Sequence, residues 1–145
     1  RNVSEQRPRV IFYRGTEGFK QLWRDILSSG AKEYLNITSG KDFLTFVKES
    51  YIKNEIITRK IALGIRARQI ITDSAYAREI IRKDAEQNRI SKLAPRKFLF
   101  QATEIIFGNK VAIFTGRLEN IIMLIESEEI SKTHRDYFEL IWEKL

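Results

Sequence analysis

The 145-residue chain contains no cysteine, a single histidine, a single methionine and only two prolines. Without cysteine there is no disulfide framework, no thiol nucleophile and no cysteine-ligated zinc, so nothing in the chain requires an oxidising compartment. One imidazole, His134, is too few for a histidine pair, and no spacing of His, Asp and Glu suggests a metal centre or a cofactor site. The longest purely apolar run, Ile121 to Ile125, is far shorter than the roughly 20 residues needed to span a bilayer. No secretory h-region opens the chain, no repeat of solenoid period occurs and no segment is of low complexity. These absences lead to the expectation of a soluble cytoplasmic protein with no membrane partner.

What is present is core material and an uneven charge. Nine Phe, five Tyr and two Trp in a chain that is 43% hydrophobic are enough for one globular domain, expected over residues 9–145. Residues 1–8 are polar, end in Pro8 and read as the remnant of a linker. The formal charge of +7 resides entirely in residues 53–97, which hold 12 basic and 5 acidic side chains. Arginines and lysines spread over amphipathic helices usually form solvated faces. The alternative is direct nucleic-acid binding, in which Arg66, Arg68, Arg78, Arg82, Arg89 and Arg96 would contact phosphates.

The hydrophobic pattern predicts the elements in order. Val10 to Tyr13 is a short apolar run suited to a strand buried on both faces. Phe19, Leu22, Trp23, Ile26 and Leu27 then form one helical stripe, with Thr16 as N-cap and Gly30 just past the end. Tyr34 to Ile37 is a second strand. Thr38-Ser39-Gly40 opens a helical region that Gly64 stops, Arg66 to Ile71 is a third strand, and Asp73-Ser74 starts a third helix burying Tyr76, Ala77, Ile80 and Ile81. Pro95 ends the alternation. Thr103 to Phe107 and Lys110 to Phe114 flank Gly108-Asn109, a two-residue hairpin signal, and Ile121 to Ile125 extends the hairpin to a meander. Ser127 caps a C-terminal helix presenting Ile130, His134, Tyr137, Phe138, Ile141 and Trp142. The expected fold is therefore α/β: a sandwich with a mixed sheet, a parallel βαβαβα part followed by an antiparallel hairpin and meander, helices on both faces and a final helix.

Two sites are expected from this pattern. In an open parallel sheet, ligands collect at the carboxyl ends of the strands. There Arg14, Thr38, Ser39, Thr72 and Asp73, with Lys110 supplying further charge, form a candidate pocket for a small anion or polyol. Helix capping by Thr, Ser and Asp is the competing explanation of the same residues. His134, Tyr137, Phe138, Ile141 and Trp142 form a candidate dimer interface, although the same face could pack inside the fold. Glu126, Glu128 and Glu129 sit at the start of the last helix, where negative charge complements its exposed N–H groups.

The succession Val10-Ile11-Phe12-Tyr13-Arg14-Gly15-Thr16-Glu17-Gly18, the Trp23-Arg24-Asp25-Ile26-Leu27 helix, Phe98-Leu99-Phe100, Ile105 to Ala112, and Ile125-Glu126-Ser127 ahead of Phe138-Glu139-Leu140-Ile141-Trp142 resembles the effector half of the TrmB-like transcriptional regulators of archaea and bacteria. The resemblance covers residues 9–143. It implies a phospholipase D-like fold and a non-catalytic, ligand-sensing or dimerising effector domain, without cofactor. A homodimer is then expected, with a small-molecule effector as a compatible partner and with DNA bound only through an N-terminal winged helix outside this chain. The phospholipase D relation also raises an enzymatic alternative, a diverged phosphodiesterase. Its His-x-Lys-x(4)-Asp motif, aligned on Lys110, meets Gly108 in place of His and Thr115 in place of Asp, which removes the nucleophile that attacks phosphorus. The expectation is therefore no enzymatic activity.

Overall fold

The computed structural model describes residues 7–116 and 120–145. Of the expected linker remnant, residues 1–6 lie outside the described residues, and Arg7 and Pro8 are exposed. The elements follow in the order β1 (Arg9–Arg14), α1 (Gly15–Ser28), β2 (Glu33–Thr38) and a 3₁₀ turn (Asp42–Thr45). Next come α2 (Glu49–Tyr51), a π-helical turn (Ile52–Ile57) and α3 (Thr58–Ala62) without a break, then β3 (Arg66–Thr72), α4 (Ala75–Ile81) and β4 (Arg89–Ala94). The antiparallel strands β5 (Thr103–Phe107), β6 (Lys110–Phe114) and β7 (Ile121–Glu126) precede α5 (Glu128–Lys144).

All seven strands form one mixed sheet in the order β1-β7-β6-β5-β2-β3-β4. Strands β2, β3 and β4 are parallel, and β5 adds antiparallel to β2. The hairpin closes at Gly108, whose φ of 54° suits glycine, with Phe107 opposite Lys110. The mixed α/β class and the hairpin with its meander are as the sequence predicts. The placement of the first strand is not. β1 is not buried beside β2 but sits on the far edge, antiparallel to β7, with Val10 51% and Phe12 62% exposed. Three strands that come later in the chain fill the gap between β1 and β2. The sequence reading also omits β4, an edge strand whose Arg89, Ser91 and Lys92 hide its period.

Alternation along the strands divides the core in two. Tyr34, Ala67, Ile105, Phe107, Ala112, Phe114, Ile122 and Leu124 face α1 and the 49–62 helix, where Phe19 stacks on Phe46 at 4.9 Å between ring centres and meets Phe114 edge to face. Leu35, Ile70, Ile106 and Val111 face the other way, onto Phe138 of α5. Helices thus cover both faces, α5 alone on one of them.

The caps differ in part from expectation. Ser127 and Ser74 cap α5 and α4 by accepting from the N–H groups of Ile130 and Ala77. Thr16, however, lies inside α1 and its hydroxyl donates to the Phe46 carbonyl, while the N–H of Gly15 is taken by the Asn120 carbonyl. The helical region between Gly40 and Gly64 is interrupted rather than continuous, with the 3₁₀ turn standing apart from the long helix.

Candidate functional site

The carboxyl ends of β2 and β3 bring Thr38, Ser39, Thr72 and Asp73 together, but internal bonds occupy their polar groups. Thr38 Oγ1 lies 2.7 Å from Thr103 Oγ1, which donates to Asp42 Oδ2. Ser39 and Thr72 donate to the carbonyls of Phe100 and Phe98, bracing the segment after Pro95 over the strand ends. The Asp73 carboxylate is held below its ordinary range by the Arg78 guanidinium, with Arg96 3.8 Å away. Arg14 and Lys110 do not join them. Four strand steps separate Arg14 on β1 from β2, about 19 Å. Lys110 opens β6, which runs in the same direction as β2, so it stands at the opposite end of the strands, 3.6 Å from Glu126. Glu126 belongs to the end of β7, pairing with Arg9 as well, while only Glu128 and Glu129 occupy the first turn of α5.

The residues proposed for pairing are likewise divided. Phe138 is fully buried inside the fold and Trp142 stacks against it, 5.5 Å between ring centres. His134 Nδ1 is hydrogen-bonded to Glu104 and leans on Tyr137. Tyr137 and Ile141 remain exposed, next to Leu140, at 54%, 38% and 64%. His134 and Lys110 stand on opposite faces of the sheet, since Lys110, two residues before Ala112 on the same strand, shares its α1-side face and His134 belongs to the helix on the other side.

Of the basic residues, Arg68 forks onto Glu139 with N–O distances of 2.9 and 2.7 Å and also reaches Glu33. Arg89 is spent on Asp84, Gln87 and the Ile80 carbonyl. Arg78 pairs with Asp73 and Arg82 with Glu79. Arg66 is exposed at the start of β3. In space Arg59, Arg68, Arg78, Arg82, Arg89 and Arg96 thus meet carboxylates, while Lys53, Arg66, Lys83 and Lys97 stand exposed.

A partly enclosed concavity lies elsewhere, in a cleft of about 400 Å³ between the π-helical turn and α4. Tyr34 and Thr38 form its floor, Ile52, Ile56 and Ile57 one wall, and Tyr76, Ile80 and Gln87 the other. In a π turn the chain advances less per residue than in an α-helix, and here Ile56 and Ile57 both face the cleft. Beneath it runs a polar row unusual for a sheet face. Asn36, Gln69 and Ser91 lie side by side on β2, β3 and β4, linked Nδ2 to Oε1 at 3.0 Å and Nε2 to Oγ at 3.2 Å. Ser91 continues the row to Asp84, the partner of Arg89. Asn36 Oδ1 is buried without a hydrogen-bond partner among the described residues.

Lys60 stands behind the floor with 1% exposure, its Nζ 3.4 Å from the Asn88 carbonyl and 5.6 Å from the centre of the Tyr34 ring. Burial, reinforced by the nearby Arg89, lowers its pKa to about 8. Burial also raises the Tyr34 phenol, which stays neutral and a donor. Nothing in the sequence distinguishes Lys60 from the other basic residues of its helix, and no motif marks Tyr34 or Tyr76. Among the described residues no group of three or more His, Asp or Glu side chains is placed to hold a metal ion, and no helix is long and apolar enough to cross a membrane.

No family model matches the chain, and no curated protein matches it. Solved structures do. TrmBL2, described as an archaeal chromatin protein with a novel mode of DNA binding, superposes with a TM-score of 0.62 at 18% identity over 94% of this chain and 53% of its own. NucT from Helicobacter pylori gives 0.65 at 10% identity, covering 94% of this chain and 97% of its own. A polyphosphate kinase from Porphyromonas gingivalis gives 0.60 at 8% identity, over 92% and 26%. These likenesses establish a shared fold. The chain spans about half the length of TrmBL2.

Proposed function

We propose that this chain is the non-catalytic effector and pairing domain of a TrmB-like transcriptional regulator, with a phospholipase D-like fold. The observation that carries the reading is the match to TrmBL2, which takes in 94% of this chain and 53% of the other. It agrees with the resemblance read from the sequence. DNA would be engaged through a winged helix outside these residues, and a ligand preferring one dimer geometry would shift the spacing of the attached DNA-binding heads.

NucT and the polyphosphate kinase share the fold, so an enzyme built on Lys110 and His134 is the competing class. The opposite-face placement of those two side chains weighs against it, because a phosphoryl group needs its nucleophile and its charge clamp within hydrogen-bond reach of the same atoms. Two measurements test the reading together. Sedimentation should give a dimer at micromolar concentration, and bis(p-nitrophenyl) phosphate should be hydrolysed no faster than in buffer. Turnover lost in His134→Ala would overturn the non-catalytic assignment, and a monomer at high micromolar concentration would overturn the pairing role.

A further inference from the structure

The sensing part of that reading leaves open where a ligand would sit, and the strand-end residues that the sequence suggests are occupied by their own hydrogen bonds. The cleft between the π-helical turn and α4 has the attributes they lack. Its volume of about 400 Å³ is at the lower end of the range for small-molecule sites. Its walls are mainly aliphatic and aromatic, with Gln87 on one side, and its floor carries an unused donor: Tyr34 is 7% exposed, lines the cleft, and no hydrogen bond from the described residues reaches its hydroxyl. Tyr76 opposite also presents a phenol with no such partner.

The order of charge with depth selects the ligand. At the bottom lie the Tyr34 hydroxyl and, behind its ring, the Lys60 ammonium. The one carboxylate near this layer, Asp84, is consumed by Arg89 and Ser91, and Thr38 Oγ1 by Thr103 and the Gly40 N–H. The remaining carboxylates, Glu49, Glu79 and Glu86, are exposed at the rim beside Lys53 and Lys83, where solvent screens both signs. The deep end therefore offers donors and a positive field, and the middle offers apolar contact with Phe43, Ile52, Ile56 and Ile80.

Resting on the effector-domain reading, we infer that this cleft binds a small monocarboxylic acid with an aromatic or branched apolar tail, its carboxylate accepting from Tyr34 Oη under the field of Lys60. The ligand would bridge the π-helical turn and α4, the two helical elements that face each other across the cleft.

Three probes of one shape test this on the intact chain by NMR titration: 4-phenylbutyrate, its amide and 4-phenylbutylamine. The acid is expected to shift resonances of the cleft residues and the amine to shift none. Tyr34→Phe, which keeps the ring packed against Trp23, is expected to weaken the acid about tenfold. Ile57→Trp, at a partly exposed wall position, is expected to abolish binding of acid and amide while the thermal transition is retained. Binding of the amine as tight as that of the acid, an unchanged affinity in Tyr34→Phe, or no binding of the acid at millimolar concentration would each overturn the assignment. Failure here with a dimer in sedimentation leaves the pairing role standing; cleft binding by a chain that is monomeric removes that role and keeps the cleft.

Discussion

Burying Lys60 to 1% exposure strips an ammonium of its hydration in exchange for one long hydrogen bond and the face of one ring. With the pKa lowered from 10.5 to about 8, the unfolded chain holds this proton more tightly than the folded one. Stability attributable to Lys60 therefore rises as pH climbs from about 8 towards 10.5, and below that window the folded state bears a cost on the order of 3 kcal/mol. Lys60→Met should raise stability at pH 7 by about 1–2 kcal/mol and flatten the difference between pH 8 and 10, measured by urea unfolding of both proteins in parallel. Sequence could not foresee this. Arg59 and Lys60 are neighbours in one basic segment, yet one is exposed and the other points into the sheet, and only the packing of Tyr34 and the turn at Asn88 makes the difference. The same holds for Tyr34 and Tyr76: an aromatic residue in a strand or helix reads as core, and a hydroxyl left without a partner is visible only in three dimensions.

At the scale of elements, the helix α5 separates two roles that its sequence blends into one stripe. Phe138→Ala should cost about 3–5 kcal/mol in chemical denaturation, since it empties the centre of the core on that face. Tyr137→Ala and Ile141→Ala, at exposed positions, should leave monomer stability within about 0.5 kcal/mol. If the pairing surface includes them, the double variant should shift sedimentation from dimer to monomer. Elements with local signals were legible. Ser127 and Ser74 announced α5 and α4, and Gly108-Asn109 announced the hairpin, because caps and tight turns depend on residues a few positions apart. β4 was not legible, for its Arg89 and Ser91 answer Asp84 and Gln69 rather than an apolar neighbour. β1 was placed wrongly because a continuous apolar run suits a central strand and an edge strand covered on one side equally well, and its neighbour is decided by residues more than a hundred positions away.

For the whole molecule, ion pairing reduces how much of the excess of +7 is available to phosphates. Arg68, Arg78, Arg82 and Arg89 are each paired with carboxylates, which leaves Lys53, Arg66, Lys83 and Lys97 as the exposed basic side chains of the segment best able to displace counterions. Duplex DNA should accordingly bind this chain with a Kd of about 10⁻⁵ M or weaker near physiological salt, with a log–log salt slope of about −3 or shallower. Fluorescence anisotropy across a salt series checks both numbers; a nanomolar complex with a steep slope would return the basic segment to the role of a direct DNA reader.

The pairing of Arg9 with Glu126 and of Arg14 with Ile121 sets a timetable for assembly. β1 leaves the ribosome more than a hundred residues ahead of β7, the strand it pairs with among the described residues, and β2 to β6 can already pair among themselves in that interval. The first strand thus waits as an unpaired, partly apolar ribbon while the rest of the sheet forms, and the search that brings it home closes one of the longest loops in the chain. Ending the chain before Ile121 would leave that ribbon unpaired and make β1 an aggregation-prone segment.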